Sequence, residues 1–250
     1  MKNSLNKSQI ERFSRQLVLK NIGPKGQKKI FSSKILIVGV GGLGCPAAES
    51  LVRAGIGTIG LIDNDIVNIS NIHRQSLFNS KDIKKNKVSV AAKKLKEINP
   101  LTKIVIYKSR LNKKNIKRII KNYEIIIDGS DNFKTKFLIN DYCINFKRKL
   151  ITGAISKFDG HIFTFDFKNK KTASLKNFYQ EKEISDDILN CEFEGVLGTT
   201  ASIVGTTQAN EALKMIMKIG RNLENQILII DLLNLNFRKV KFKKRYDNMK

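Results

Sequence analysis

Lys34-Ile-Leu-Ile-Val38, followed directly by Gly39-Val-Gly-Gly-Leu-Gly44, is the stretch that decides the fold. The residues after Lys34 form a continuous apolar run of strand length, as is typical of a strand buried on both faces of a sheet. The next six residues match G-x-G-x-x-G, and small and apolar residues at helical spacing follow them. Thr58-Ile-Gly-Leu-Ile62 then predicts a second strand. Residues 34–63 are therefore predicted to form a strand–turn–helix–strand unit.

The rest of the first half alternates between helical and strand patterns. Helices are predicted between residues 84 and 98, at 113–121 and near 132–146, and strands at 103–107 and 124–128. Such alternation predicts an α/β fold with a Rossmann-like, mostly parallel sheet and helices on both faces.

The pattern changes near residue 150, where we expect an antiparallel portion to continue the sheet. A strand at 161–167 alternates strongly, which suits a sheet with one face toward solvent. Residues 168–194 lack a clean period and predict a long loop or lid. The remaining predicted elements are a strand at 150–153, a helix at 199–218 and strands near 227–231 and 236–242.

Residues 8–19 predict a short amphipathic helix, and a second short helix is predicted near 25–31. We predict a single domain over residues 1–250. It comprises an N-terminal helical arm (1–33), a nucleotide-binding half (34–154) and a second half (155–250) that contains the loop 168–194.

Composition excludes several classes of protein. With 250 residues, 41% of them hydrophobic, the chain is neither a disordered tail nor a collagen-like fibre nor a disulfide miniprotein. The formal net charge of +25 raises the question of nucleic-acid binding. The excess is nearly all lysine, 37 against 10 arginines, spread evenly along the chain. That distribution is typical of solvated surfaces, so we do not predict a specific nucleic-acid site.

The cysteines and the first residues of the chain indicate in which compartment we expect the protein. Cys45, Cys143 and Cys191 form no C-x-x-C pair, so a four-thiolate zinc site cannot be built from them. Cys45 and Cys143 are predicted core residues, and all three are expected to be reduced thiols. The first residues contain no apolar signal region, and no stretch is long and apolar enough to cross a bilayer. We therefore expect a cytoplasmic protein with no membrane association.

The glycine turn predicts a nucleotide site. Its first glycine permits the tight turn, its second lets backbone approach phosphate, and its third packs helix on strand. The helix N-terminus that follows offers free N–H groups to an anion. Asp63 ends the next strand, 19 residues after Gly44, about where an acidic side chain holds a ribose hydroxyl. These features leave open a dinucleotide for hydride transfer or ATP.

Downstream residues favour ATP. Ser70-Asn-Ile-His-Arg-Gln75, Lys87 and Asp128-Gly-Ser-Asp-Asn132 each follow a strand or lie in its outgoing loop, so they can converge at the carboxyl ends of the sheet. Displacing pyrophosphate needs cations around the triphosphate and a carboxylate for Mg²⁺. A nicotinamide enzyme has no evident need for Arg74, Lys87 and Asp131. Lys87 alone is more simply interpreted as a solvated helix lysine, but the set together is not.

Together these residues resemble the ThiF/MoeB/HesA family of sulfur-carrier adenylyltransferases, relatives of the ubiquitin-activating enzymes. The resemblance runs from about residue 11 to residue 241. Its motifs are Arg12-Phe-Ser-Arg-Gln16, Gly39-Val-Gly-Gly-Leu-Gly44, Asp63-Asn-Asp65, Ser70-Asn-Ile-His-Arg-Gln75, Lys87 and Ser130-Asp-Asn132.

The resemblance implies an activity and its partners. ATP and the C-terminal glycine of a small ubiquitin-like sulfur carrier ending in Gly-Gly would meet here, the carrier in residues 155–250 and ATP in 34–154. The carboxylate would attack the α-phosphate, giving a carrier acyl-adenylate and pyrophosphate. A sulfur donor such as a cysteine desulfurase or a rhodanese would then form a thiocarboxylate. The carrier could serve thiamine-thiazole or molybdopterin biosynthesis.

The resemblance also implies residue roles. Asp131 would hold Mg²⁺, Arg74 and Lys87 would stabilise the transition state, and Arg15 would reach the neighbouring subunit's phosphates in a homodimer. Asp65 is either a second carboxylate of the ATP site or an N-cap. The nucleotide-binding set is Gly39, Gly41, Gly42, Gly44, Asp63, Asp65, Asn71, Arg74, Gln75, Lys87 and Asn132.

Two departures from the family pattern stand out. Both C-x-x-C pairs that bind structural zinc in many relatives are absent, so we predict no zinc. Cys191 lies where some relatives have a cysteine that bonds to the activated carrier or its sulfur, but the neighbouring Glu192 and Glu194 would raise its pKa. It is either a catalytic thiol or inert packing.

Three alternative functions remain. A related enzyme acting on tRNA would bind RNA in a salt-sensitive way. A non-catalytic partner that kept the fold would not need a phosphate clamp. A nicotinamide dehydrogenase would bind NADH and not ATP.

Overall fold

The structure is a computed structural model that describes residues 5–179 and 195–243. Its strands are β1 (Lys34–Val38), β2 (Thr58–Ile62), β3 (Lys103–Tyr107), β4 (Ile125–Asp128), β5 (Lys149–Ser156), β6 (Asp159–Asp166), β7 (Gln226–Asp231) and β8 (Asn236–Lys241). Its helices are α1 (Lys7–Arg12), α2 (Ser14–Leu17), α3 (Gly23–Ser32), α4 (Gly44–Arg53), α5 (Lys87–Ile98), α6 (Ile116–Ile120), α7 (Phe133–Asn145), α8 (Leu175–Phe178) and α9 (Gly198–Met217). Short 3-10 helices occupy Ile69–Asn71 and Ser80–Asp82.

The described strands form one eight-stranded sheet in the order β3-β2-β1-β4-β5-β6-β7-β8. The neighbours from β3 to β5 are parallel, and those from β5 to β8 are antiparallel. The predicted fold class, a Rossmann-like parallel sheet continued by an antiparallel portion, is therefore confirmed.

Helices cover both faces of the sheet because alternate residues of each strand point to opposite sides. Ile35 and Ile37 of β1 belong to a core shared with α4, α5 and α9. Leu36 and Val38 belong to a second core shared with α6 and α7. The continuous apolar run of β1 thus fills two cores at once, as expected of a central parallel strand.

Several details differ from the sequence-based expectations. The short helix α8 (Leu175–Phe178) lies within the segment 168–194, which was predicted to be a loop. The predicted helix 8–19 breaks at Phe13, which is 1% exposed and packs edge-on against Phe31. Strand β6 does not present one face to solvent. Phe163 and Phe165 pack into an aromatic cluster with Phe242 on one face, and Ile162 and Thr164 are buried on the other, so the alternation does not mark a solvent-exposed face.

The carboxyl ends of three strands lie side by side. In the strand register Val38 of β1 pairs with Ile62 of β2 on one side and with Asp128 of β4 on the other. The glycine turn and the loops that carry Asp63 and Asp131 leave the sheet at this edge. Within the described part of the chain, no helix is both long enough and apolar enough to span a membrane.

Candidate functional site

The glycine turn between β1 and α4 is tightly packed. Gly39 has a φ of +85°, and a Cβ built on it would lie 2.9 Å from the carbonyl oxygen of Gly129. A Cβ on Gly44 would lie 1.9 Å from the carbonyl oxygen of Gly39. Neither position accepts a side chain, so these two glycines shape the turn rather than bind a ligand themselves.

Asp63 ties the end of β2 to this turn. Its Oδ2 accepts a hydrogen bond from Val40 N at 2.7 Å, and its Oδ1 accepts one from Asp65 N at 2.8 Å. The carboxylate is half-buried and adjoins the backbone of the turn. This is where a ribose hydroxyl would lie beside a phosphate held by the turn.

Lys87 is connected to Asp63 through Asp65, which contacts both residues. Its Nζ is 3.1 Å from Asp65 Oδ2, and its backbone N donates to the carbonyl of Asp65 at 3.0 Å. Asp65 does not cap a described helix: the N-cap of α5 is Asn86 and that of Ile69–Asn71 is Asn68. The side chain of Asp65 instead forms an ion pair with Lys87.

Arg74 lies against the turn from the other side. Two carbons of its side chain are 3.6 and 3.7 Å from the position of a Cβ on Gly42. Its Nη1 donates to the carbonyl of Ser70 at 2.8 Å and lies 2.8 Å from Nε2 of His73. The guanidinium is thus held by its own loop, close to the backbone that would cradle phosphate.

Two neighbours of Arg74 differ in what they do. The backbone carbonyl of Asn71 accepts from Arg74 N and Gln75 N, and its side chain accepts from Asn68 N, so Asn71 shapes the loop. Gln75 is 3% exposed, and its Oε1 accepts no hydrogen bond from the described part of the chain. Its Nε2 lies 3.7 Å from the position of a Cβ on Gly41. The amide of Gln75 therefore lies beside the predicted phosphate cradle.

Asp131 and Asn132 reach the same edge from β4. Asp131 is exposed, and its Oδ1 accepts from Asn132 Nδ2 at 3.1 Å. Asn132 is the N-cap of α7, with its Oδ1 accepting from Thr135 N at 2.9 Å. Asn132 therefore orients the carboxylate of Asp131 and starts the helix behind it.

The described residues contain no group of three or more His, Cys, Asp or Glu side chains that could hold a metal ion. Mg²⁺ does not need such a group in nucleotide enzymes, because it uses one or two carboxylates together with substrate phosphates and water. The exposed carboxylate of Asp131 fits that donor chemistry.

Sequence reasoning missed the polar network under this loop. Asp128 is fully buried; its Oδ1 accepts from Ser130 N and Oγ, and its Oδ2 accepts from Thr152 Oγ1 at 2.6 Å and Lys136 Nζ at 3.2 Å. Lys136 looked like one of many surface lysines. A signal was present, since Asn132, Lys136 and Asn140 recur every four residues and form a polar stripe along α7.

A cleft of about 360 Å³ adjoins Arg74 where the two halves of the chain meet. A Cβ on Gly198, the first residue of α9, would lie 2.3 Å from the carbonyl oxygen of His73, so the start of α9 packs closely on this loop. The lining residues are Ile72, His73, Arg74, Ser76, Leu197, Gly198, Thr199 and Ser202.

The structure does not bring Arg15 to this site. The arm is anchored at the opposite, amino-terminal edge of the sheet, where Phe13 packs on Phe31 and Arg12 Nη1 donates to the carbonyl of Ile98 at 3.0 Å. Arg15 is exposed on α2. Cys191 lies outside the described residues.

The other two cysteines are buried side chains of the core. Cys45 is the second residue of α4, and burial raises the pKa of its thiol to about 12. Burial also raises the pKa of the Cys143 thiol well above its ordinary value. Neither thiol forms a thiolate near neutral pH, so both belong to packing, as the sequence predicts.

Known proteins resemble the chain over most of its length. A sulfur carrier protein adenylyltransferase from Thermus thermophilus is 35% identical over 237 residues, which cover 94% of this chain and 88% of the relative. A probable molybdopterin-synthase adenylyltransferase from Gracilaria tenuistipitata is 39% identical, covering 95% of this chain and 66% of the relative. The adenylyltransferase and sulfurtransferase MOCS3 from Drosophila virilis is 38% identical, and the chain spans 54% of its length.

Solved structures share the fold. E. coli MccB solved with ATP superposes with a TM-score of 0.81 at 22% identity, covering 94% of this chain and 72% of that chain. MccB solved with MccA has a TM-score of 0.84 at 21% identity, covering 98% and 74%. The model of the ThiF family matches residues 13–250. Since that match takes in nearly the whole chain and the Thermus relative aligns along most of both sequences, this protein belongs to the ThiF family.

Proposed function

We propose that this protein adenylates the C-terminal glycine carboxylate of a small ubiquitin-like sulfur-carrier protein, using ATP and releasing pyrophosphate. The observation that supports the proposal is the arrangement around the glycine turn. Arg74 lies beside Gly42, Lys87 pairs with Asp65, and Asp131 follows β4, whose end is paired with the end of β1. The names of the Thermus and Gracilaria relatives, both adenylyltransferases, support it.

The reaction is a displacement at the α-phosphorus. A carboxylate oxygen of the carrier bonds to that phosphorus, the bond to the bridging oxygen breaks, and pyrophosphate leaves with the electron pair. Negative charge moves toward the leaving group, so fixed cations near it lower the barrier. Lys87 and Arg74 supply those cations, and the backbone at Gly41 and Gly42 holds the phosphates. When bound at Asp131, Mg²⁺ would screen the phosphate charge.

The second half of the chain would receive the carrier. The cleft between the Arg74 loop and the start of α9 opens beside the site, and it is bounded by residues of both halves. An extended carrier tail can bind through backbone contacts in such a cleft. The persulfide of a sulfur donor, a cysteine desulfurase or a rhodanese, would then displace AMP from the adenylate to give an acyl disulfide. A thiol reductant would cleave the S–S bond of that acyl disulfide and release the thiocarboxylate.

The arm suggests a homodimer with shared sites. Its apolar residues Ile10, Val18 and Leu19 are 50%, 75% and 51% exposed, so the exposed face of the arm carries apolar side chains. If a second copy covers that face, Arg15 can reach the phosphates of the neighbouring site, as the family resemblance implies.

ATP–pyrophosphate exchange tests the proposal. The protein is mixed with Mg²⁺, ATP, labelled pyrophosphate and one purified carrier at a time, of the thiamine-thiazole or the molybdopterin kind. Matched carriers lacking the last glycine are the controls. Exchange that requires one intact carrier supports the function and identifies the pathway. ATP binding with no exchange for either carrier would contradict it, and exchange driven by tRNA instead would assign the alternative substrate.

A further inference from the structure

A buried ion pair lies beneath the loop that carries Asp131. The side chains of Asp128 and Lys136 are 1% and 5% exposed, with Oδ2 and Nζ 3.2 Å apart. Such pairs are often no more stabilising than apolar residues of similar volume, because desolvation offsets the attraction. Stability alone therefore does not account for a charged pair at this point in the core.

Asp128 and Lys136 fix both ends of the loop that carries Asp131. At its start, Asp128 Oδ1 accepts from the N and Oγ of Ser130 at 2.9 and 2.5 Å, which fixes the turn before Asp131. At its end, Asn132 caps α7 and donates to Asp131. Lys136 lies one turn into α7 and contacts Asp128, so it joins the two ends of the loop.

The same network anchors the loop to the rest of the site. Lys136 Nζ also donates to the carbonyl of Gly153 at 2.6 Å, and Thr152 Oγ1 donates to Asp128 Oδ2. Gln208 of α9 donates to the backbone carbonyl of Asp128 at 2.9 Å. These hydrogen bonds connect strands β4 and β5 with helices α7 and α9 behind the exposed carboxylate of Asp131.

We propose that Asp128 and Lys136 are positioning residues, whose buried pair holds the Asp131 carboxylate where it can meet a divalent cation bound to ATP. Groups that orient a metal-binding carboxylate affect metal affinity without touching the metal. The inference rests on the proposed function in one respect, that Asp131 acts on the Mg²⁺ complex of ATP.

The test compares the affinities for ATP with Mg²⁺ and for ATP with EDTA, by isothermal titration calorimetry. Lys136→Met removes the ammonium and keeps the length of the stem. Asp128→Leu with Lys136→Met removes both charges and leaves no buried charge unpaired. Lys149→Met is the matched control. Lys149 is also a part-buried lysine, but it lies at the amino-terminal end of β5 and donates a hydrogen bond to the backbone carbonyl of Met215 in α9.

We expect both Lys136 variants to lose roughly 10- to 100-fold in affinity for MgATP. Their affinity for ATP in EDTA should change less than threefold, and Lys149→Met should match wild type in both conditions. The double variant should unfold at a higher temperature than Lys136→Met and still bind MgATP weakly. If the pair had a merely structural role, the double variant would recover its affinity for MgATP together with its stability.

Three results would overturn the proposal. These are wild-type MgATP affinity in the folded double variant, equal losses with and without Mg²⁺, and a loss in Lys149→Met as large as in Lys136→Met. If Lys136→Met does not fold, Thr152→Val gives the same comparison, since it removes only one hydrogen bond to Asp128. Wild-type protein that binds MgATP but exchanges no pyrophosphate refutes the proposed function, while the affinities still decide the role of the pair.

Discussion

Lys87 and Asp65 form an ion pair in which the cation is buried and the anion is exposed. Their Nζ and Oδ2 atoms are 3.1 Å apart, and the side chains are 7% and 59% exposed. A buried ammonium needs a compensating charge, and here the compensating group faces solvent. In the proposed function, the triphosphate of ATP would take the place of Asp65 at this ammonium, and the core would not have to change because Asp65 faces solvent.

Lys87→Ala is expected to lower pyrophosphate exchange at least about 100-fold, because a preorganised cation next to the developing charge is lost. The folded state should persist, since the partner left behind, Asp65, is already exposed. Exchange rate and circular dichroism are the measurements. Lys93→Ala, on the exposed face of the same helix, is the control and should match wild type. Near-normal exchange by Lys87→Ala would remove Lys87 from the phosphate clamp.

Arg15 provides a test of shared sites. Arg15→Ala and Lys87→Ala are each expected to be inactive alone, but mixing them by denaturation and refolding should restore exchange. In a random mixture, half the dimers are mixed and each has one intact site, so recovery should be about a quarter of wild type if the dimer is two-fold symmetric. Full activity of Arg15→Ala, or no recovery on mixing, would place Arg15 outside the site.

Much of the fold could be predicted because its central strands are buried on both faces. The runs at Lys34–Val38 and Thr58–Ile62 are of this kind, and their predicted bounds are those of the structure. Lys103–Tyr107 also has the predicted bounds, although it is a partly exposed strand at the end of the sheet. A continuous apolar run is a strong signal when a strand is covered twice. The break at Phe13 could not be predicted, because it depends on where a single aromatic side chain packs in three dimensions.

The site was predictable where its residues follow strands, and not where they support one another. Asp131 lies in the loop that leaves β4, and Lys87 begins α5 after the loop that leaves β2; in a parallel sheet such loops leave at one edge. Lys136 is within a helix and contacts Asp128 eight residues earlier, a pairing that appears only when α7 turns back over the end of β4. In a chain with 37 lysines, composition does not distinguish the buried Lys136 from the exposed lysines.

We expect different glycines of the turn to serve folding and phosphate binding. Gly44→Ala would place a Cβ 1.9 Å from the carbonyl oxygen of Gly39, so we expect it to lower the free energy of unfolding by about 1–3 kcal/mol or to prevent folding. Gly41→Ala meets only Gln75 at 3.7 Å, an ordinary contact. It should keep wild-type stability in urea and weaken ATP binding, because its methyl group occupies the space of a phosphate. Equal stability of the two variants would contradict this division.

The buried thiols predict a labelling pattern. Near pH 8 the native protein should leave Cys45 and Cys143 unmodified by iodoacetamide, because burial blocks access and raises both pKa values. In guanidinium chloride all three cysteines of the chain should react. Peptide mass spectrometry distinguishes the sites. Modification of Cys45 in folded protein, at the rate of an unfolded control, would show that α4 opens at its start.

Cys45 also predicts a dependence of stability on alkaline pH. Its folded pKa of about 12 lies above the ordinary value of 9.0, so the unfolded chain loses this proton first. The free energy of unfolding should therefore be unaffected by this group below about pH 9 and should fall as pH rises from there toward 12. The loss attributable to it approaches about 1.4 kcal/mol per pH unit. Urea unfolding of wild type and Cys45→Ala between pH 8 and 10.5 isolates the effect from the lysines and tyrosines that both proteins share. Parallel slopes for the two proteins would mean that the thiol ionises as readily in the folded state as in the unfolded one.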